Sequence, residues 1–176
     1  MSLDGSLRQP IASHRASAEW QKTFEDRLQL YGHRNWIIVA EAAFPAYSQS
    51  GIETIIAGQD LPAVLHYVAR AISSSRHVRA NVFLDQELHF IQEDDYPGIA
   101  DIRDEIARTF DQARLSSIPH AQVLSDIHEV GKTFRILLIK TNSTIPYTSI
   151  YMRLDCGYMT EEVDHQIRNS VASATR

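Results

Sequence analysis

The sequence contains little cysteine, no block of basic residues and no long apolar run, and each absence narrows the class of protein. Cys156 is the single cysteine among 176 residues, which excludes a disulfide within the chain and disfavours a cysteine-based zinc site. Nowhere do about 18 apolar residues run together, so the sequence predicts no membrane-spanning helix and no membrane partner. Since the first residues also lack the apolar stretch of a signal peptide, we expect a reduced, cytoplasmic compartment.

The charges point away from nucleic acid as a partner. The chain carries 17 Lys and Arg against 22 Asp and Glu, for a formal net charge of −5. No Lys/Arg cluster of the kind that neutralises phosphates is present. The sequence also lacks a P-loop, a dinucleotide-binding glycine motif and an HExxH motif, so we expect neither a metal nor another cofactor.

The residues that are present favour one α/β domain. A hydrophobic content of 44% suits a single globular unit of this length. Predicted strands alternate with predicted helices, which is typical of helices covering a sheet, and the last strands leave no room for a crossover helix, which favours a mixed sheet. The apolar spacing predicts helices over 20–31, 62–72, 99–113 and from 160 onward, and strands over 36–40, 51–57, 78–84, 122–127, 134–140 and 149–154.

The composition divides the chain into three parts. Residues 1–17 are Ser-rich and polar, and we expect a flexible N-terminal arm there. Residues 18–157 carry the alternating apolar patterns of the single domain. Residues 158–176 form a C-terminal extension in which apolar residues at helical spacing predict a short helix.

A histidine and a glutamate flank the most apolar predicted strand. His33 precedes the strand 36–40 and Glu41 follows it directly. Eight extended residues span roughly 26 Å, so the two side chains cannot meet along one straight strand. Either the strand is shorter and bends, or neighbouring subunits each supply one group to a shared site. In the alternative interpretation His33 caps the end of the preceding helix and Glu41 is a solvated turn residue.

This stretch resembles the signature of the D-ribose pyranase / L-fucose mutarotase family. That signature consists of Gly-His, an apolar strand, Asp-Ala and then a proline. The continuation Phe-Pro-Ala-x-Ser is typical of the L-fucose branch and is present here at 44–48. A second, weaker match lies in 134–157, and the resemblance covers roughly residues 20–157. The gap-free matches of the first motif are Gly32, His33, Ile37, Ile38, Ala42 and Pro45.

The resemblance implies a fold, an assembly and a chemistry. It implies a three-layer α/β/α domain with a central mixed sheet, in a ring-shaped homo-oligomer whose sites lie where subunits meet. The reaction would interconvert the anomers or ring forms of a free monosaccharide, L-fucose- or ribose-like, without a cofactor. Histidine titrates near neutral pH, so it can take or give the protons of ring opening. The implied roles are acid/base catalysis for His33 and sugar binding for Glu41, Tyr147, Ser149 and His128.

Two departures from the family pattern keep other functions open. Glu41 stands in place of Asp and adds one methylene, and Ser149 stands in place of Asn. Since a displacement of about 1 Å can cost roughly 10²-fold in rate, these changes indicate either a different sugar or a lost activity. The alternative function is therefore a non-catalytic binding protein for a sugar or small polyol, such as a sensor or a transport accessory. A third is a domain that serves assembly.

Overall fold

The computed structural model describes residues 11–111 and 115–174, and its helices and strands alternate as the sequence predicts. The described α-helices are α1 Ile11–Leu30, α2 Leu61–Ser74, α3 Ile99–Thr109, α4 His120–Val130 and α5 Glu161–Ala174. The described strands are β1 Trp36–Ala40, β2 Ile52–Ile56, β3 Val78–Asp85, β4 Leu115–Ile118, β5 Ile136–Lys140 and β6 Ile150–Cys156, and a short 3₁₀ helix over Gln86–Phe90 follows β3.

The strands form one mixed sheet with the order β2-β5-β1-β6-β3-β4. Strand β6 runs antiparallel to both of its neighbours, β1 and β3, whereas all the other pairs are parallel. Only the loop 141–149 separates β5 from β6, so β6 enters the sheet without a crossover helix. The predicted mixed sheet is confirmed.

Helices cover both faces of the sheet, which makes three layers. One face packs against α1, α2 and α3, and the other packs against α4. Strand β1 lies between β5 and β6, and all five of its residues are buried. Its side chains alternate between the two cores, with Ile37 and Val39 toward the three helices and Trp36 and Ile38 toward α4. This double burial explains the continuous apolar run of β1 and confirms the predicted α/β/α fold class.

Two predicted elements differ from the structure, and one strand of the structure is not predicted. Residues 122–127 are predicted as a strand but lie in α4, where Val123 and Ile127 sit one turn apart on the buried side of the helix. The sequence does not predict strand β4. This edge strand has only four residues, Leu-Ser-Ser-Ile, and two of them are polar. Helix α3 ends at Thr109, before the predicted 113, and residues 112–114 lie outside the described residues.

The structure also adds detail to the predictions for the two ends of the chain. Helix α1 begins at Ile11, so the part of the predicted arm from 11 to 17 is helical, while residues 1–10 lie outside the described residues. The predicted C-terminal helix is confirmed as α5. None of the helices within the described ranges is long and apolar enough to cross a membrane.

Candidate functional site

The two side chains that flank β1 lie at opposite ends of the sheet. His33 precedes β1 on an exposed turn, near Asp155 at the end of β6. Glu41 follows β1 at the other end, where β6 begins. Strand β1 is paired with β5 over its whole length, from Trp36 to Ala40, so it is neither shortened nor bent back. Within one chain the structure therefore does not bring His33 and Glu41 together.

Glu41 and Ser149, both predicted sugar contacts, meet directly. The Ser149 hydroxyl donates to a carboxylate oxygen of Glu41, and the Glu41 backbone N–H donates to the same hydroxyl at 3.3 Å. Ser149 is buried and immediately precedes β6. Because β6 runs antiparallel beside β1, the residue that follows β1 must lie next to the residues that precede β6. Glu41 is half-buried and hydrogen-bonded, which differs from a solvated turn residue.

Tyr147 lies on the turn that leads into β6 and packs against a histidine that the sequence pattern does not single out. Its φ of 59° is in the left-handed region, which is unusual for a bulky residue and often marks a functional constraint. The Thr148 hydroxyl donates to the Ile145 carbonyl at 2.7 Å and closes the turn. The Tyr147 ring meets the His120 ring edge to face, with centroids 5.2 Å apart and planes at 88°.

His120 is the first residue of α4 and faces a buried carboxylate. Its Nδ1 lies 3.0 Å from Oδ1 of Asp85, the last residue of β3. The Asp85 side chain has no exposed surface, and its other oxygen accepts a hydrogen bond from the Tyr151 hydroxyl at 3.1 Å. Burial raises the pKa of Asp85 to about 6, although His120 and Tyr151 both favour the ionised form.

Tyr151 connects the Glu41–Ser149 pair to the Asp85–His120 pair. Its hydroxyl lies between Asp85 and Ser149, and the side chain is fully buried beneath them. Burial, reinforced by Asp85, holds the pKa of Tyr151 well above its ordinary value, so the phenol stays protonated and can act as a donor. The contacts are continuous through six side chains, hereafter the polar cluster: Glu41, Ser149, Tyr151, Asp85, His120 and Tyr147.

The structure does not bring His128 to the polar cluster. His128 lies two turns along α4 from His120, or about 12 Å at 1.5 Å per residue. Its side chain is 57% exposed, and its nearest carboxylate is Glu129 at 4.0 Å. Residues 122–127 are predicted as a strand, and their helical structure is what sets His128 apart from the polar cluster. A helix beginning after Pro119 would have presented His120 at its first turn, and that was the available signal.

His33 borders a separate cleft of about 520 Å³. Aromatic and charged groups line this cleft together, among them Trp36, Arg153 and Asp155. It opens at the end of β1 opposite the polar cluster. Among the residues that the structure describes, no group of three or more His, Cys, Asp or Glu side chains is arranged to hold a metal ion.

Comparison with known proteins establishes the fold at low sequence identity. No family model and no curated protein matches the sequence significantly. Bacillus subtilis RbsD complexed with D-ribose matches with a TM-score of 0.54 at 13% identity, over 91% of this chain and 100% of that one. The fucose mutarotase from Streptococcus pneumoniae in complex with L-fucose matches with a TM-score of 0.51 at 18% identity, over 80% of this chain and 93% of that one. The likeness is one of fold, and it confirms the resemblance that the sequence motifs predicted.

Proposed function

We propose that this protein interconverts the anomers or ring forms of a free monosaccharide by acid/base ring opening, with L-fucose and D-ribose as the first candidates. The observation that carries the proposal is the polar cluster, in which His120, backed by the buried Asp85, stands beside the Tyr147 ring. Two proteins of the same fold were solved with a monosaccharide bound, which supports the choice of substrate class.

The chemistry requires only proton transfers. A base takes the proton of the anomeric hydroxyl while an acid protonates the ring oxygen, and the bond between the anomeric carbon and the ring oxygen breaks to give the open-chain aldehyde. After rotation, reclosure reverses both transfers. Each correctly placed acid or base contributes about 10²–10⁴-fold to such a reaction. No electron is transferred, and atoms and charge balance within the sugar and the two protein groups.

The polar cluster supplies groups suited to these roles. His120 supplies an imidazole, in which one ring nitrogen can accept a proton and the other can donate one. Tyr147 can stack on a pyranose face and hydrogen-bond a hydroxyl through its phenol. Glu41 and Ser149 can bind sugar hydroxyl groups at the other side of the cluster.

His33 enters this proposal through a second copy of the chain. One copy presents His33 at one end of β1 and Glu41 at the other, so a head-to-tail contact between copies would set the His33 of one chain against the Glu41 of the next. Repeated head-to-tail contacts close into a ring when the rotation between successive copies closes. We therefore propose a ring-shaped homo-oligomer in which His33 completes the site as a second acid/base group. The proposed setting is the cytoplasm, with neither nucleic acid nor membrane as a partner.

One observation favours non-catalytic sugar binding as the second candidate function. The Glu41 carboxylate already accepts a hydrogen bond from Ser149. A carboxylate engaged in this way is less available to a reacting hydroxyl, while the remaining groups could still hold a sugar. A binder of this kind would act as a sensor or transport accessory.

Anomer-exchange NMR on two histidine variants of the same helix tests the proposal. His120→Ala should reduce protein-dependent exchange of L-fucose or D-ribose by about 10²-fold or more, the range of a lost acid/base group. His128→Ala should leave exchange near the wild-type rate, because that side chain is mostly exposed and lies two turns along α4 from His120. Equal rates for wild type and His120→Ala would remove His120 from the reaction, and a loss confined to His128→Ala would return His128 to the site.

A further inference from the structure

We propose that Asp85 is a positioning residue that fixes the orientation and the tautomer of the His120 imidazole, so that Nε2 is the nitrogen presented to a ligand. The geometric part of this inference stands on the contacts of the two side chains alone. Its consequence for turnover rests on the proposed function.

The first step is the isolation of the two facing atoms. Nδ1 of His120 and Oδ1 of Asp85 are both shielded from solvent, and neither has another hydrogen-bond partner among the residues that the structure describes. They lie 3.0 Å apart, out of line for an ideal hydrogen bond but well within ion-pair distance. A buried polar atom without a partner is unfavourable, so each of these two atoms relies on the other for compensation.

The second step is the proton that this contact requires. A bare Nδ1 lone pair would repel a carboxylate oxygen at this distance, so Nδ1 must carry the proton whenever Asp85 is ionised. The Tyr151 hydroxyl already donates to the other oxygen of Asp85, which favours the ionised carboxylate. With Nδ1 protonated and the ring neutral, the lone pair lies on Nε2.

The third step concerns the part of His120 that stays accessible. The side chain is 27% exposed although Nδ1 is fully shielded, so the exposure falls on the rest of the side chain. The ring also packs edge to face against Phe44, with centroids 6.4 Å apart, as well as against Tyr147. Phe44 belongs to the Phe-Pro-Ala stretch, so that motif has a direct structural role in holding the imidazole.

A second acid, on the 3₁₀ helix that follows β3, holds the backbone of His120. Both carboxylate oxygens of Glu87 accept from the His120 backbone N–H, at 3.0 and 3.2 Å. Helix α4 has Pro119 at its N-cap and no side-chain cap of its own, so Glu87 supplies that function. Asp85 therefore contacts the side chain of His120, and Glu87, two residues later, accepts from its backbone N–H.

The charged and titratable groups around His120 belong to four segments. They are Asp85 on β3, Glu87 on the 3₁₀ helix, Tyr147 on the turn before β6, and Tyr151 on β6. Of these four, only Asp85 contacts an imidazole nitrogen. Replacing Asp85 should therefore change which imidazole nitrogen of His120 carries the proton. The other three groups form the surroundings of the ring.

Asp85→Asn separates positioning from a general structural role. Asparagine keeps the shape, but its amide can donate to Nδ1, which would move the imidazole proton to Nε2. The same Asp-to-Asn change in the catalytic triad of a serine protease leaves the geometry intact and lowers kcat by about 10⁴ through the wrong tautomer. We expect a loss of at least about 10²-fold in anomer exchange, with the fold retained.

Nitrogen-15 NMR of the histidine side chains is the direct test, and it does not require turnover. At pH 8 the wild-type His120 signal should show Nδ1 protonated and Nε2 bare. Asp85→Asn should shift the proton toward Nε2, while the control Asp94→Asn, at an exposed acid in the loop before α3, should match wild type. Asp85→Glu should restore the wild-type tautomer at least in part.

The outcomes separate the two proposals. Nε2 protonated in wild type, or the same tautomer in wild type and Asp85→Asn, would overturn the positioning role. The wild-type spectrum alone decides this if Asp85→Asn does not fold. If the tautomer responds as expected but wild-type protein exchanges no sugar, Asp85 does position His120 and the proposed function fails.

Discussion

Ser149, the residue before β6, holds the carboxylate of Glu41, the residue after β1, across 108 positions of sequence. The contact is a direct result of topology, because β6 runs antiparallel beside β1 and brings the two strand ends together. It couples the predicted sugar contacts to the buried pair of Tyr151 and Asp85 beneath them. A substitution at Glu41 or Ser149 should therefore also affect Asp85 and His120, at the other end of the polar cluster.

Shortening Glu41 tests the fit of its extra methylene. In an adapted pocket, Glu41→Asp should draw the carboxylate back by about 1 Å from its ligand and cost roughly 10²-fold in exchange of the protein's own sugar. Exchange rates on L-fucose, D-ribose and D-galactose measure the effect, with Glu162→Asp at an exposed position of α5 as the matched control. A gain from near background would instead identify a binder that lost catalysis at this position. An identical profile for both proteins on all three sugars would take Glu41 out of the site.

Removing His33 should stop turnover and spare the fold. The side chain is exposed before β1, so His33→Ala leaves no core cavity and should change the free energy of unfolding by less than about 0.5 kcal/mol. Anomer exchange and the melting temperature are measured together. A large drop in melting temperature would assign His33 a structural role.

Mixing two inactive variants tests whether a site is shared between copies. His33→Ala and His120→Ala lack groups at opposite ends of the sheet, so co-refolded mixtures should contain some sites with both histidines and recover part of the exchange activity. Each variant refolded alone is the control. If the mixture is as inactive as its components, the two histidines do not act across one contact.

The two functions of the Tyr147 ring can be separated. Tyr147→Phe keeps the ring that packs on His120 and loses only a hydroxyl, whereas Tyr147→Ala loses both. Sugar affinity measured by calorimetry should therefore fall less for Phe than for Ala, because stacking is retained. Wild-type affinity in both variants would make Tyr147 a packing residue and the C-terminal motif match accidental.

Burial of Asp85 predicts a pH-dependent cost to stability. Its pKa rises from 3.8 to about 6 on folding, so the folded state holds more protons between these values. Stability from this group is present below about pH 4 and is lost as the pH rises through about 6. A difference of about two pH units corresponds to about 3 kcal/mol. Urea unfolding at pH 4 and pH 7 should show Asp85→Asn gaining up to that amount on wild type as the pH rises, while Asp94→Asn follows wild type. A constant difference between Asp85→Asn and wild type would contradict the raised pKa.

The sequence predicts those parts of the fold whose signal is local. The apolar run of β1 indicates a doubly covered strand, and Asp60 before Pro62 indicates the start of α2, where its carboxylate accepts from the Ala63 N–H at 2.8 Å. Strand β4 has no such signal, since four half-polar residues gain their structure by pairing with β3.

The residues of the candidate site also fall into those that the sequence predicts and those that it does not. Glu41, Tyr147 and Ser149 follow from motifs that adjoin predicted strands, and the structure brings all three into the polar cluster. Asp85 and His120 belong to different elements, and nothing in the local pattern of either joins them. Their contact is created when β3 and α4 pack together, so it becomes visible only in three dimensions.

Saturation-transfer NMR of free monosaccharides with the wild-type protein tests the central claim most directly. Irradiating one anomer of L-fucose or D-ribose should attenuate the signal of the other anomer, to an extent that grows with protein concentration above the spontaneous rate. D-Galactose serves as a third sugar, and protein-free buffer as the baseline. Line broadening without transfer of saturation would contradict turnover and favour the binding function, and neither effect on any sugar would contradict both.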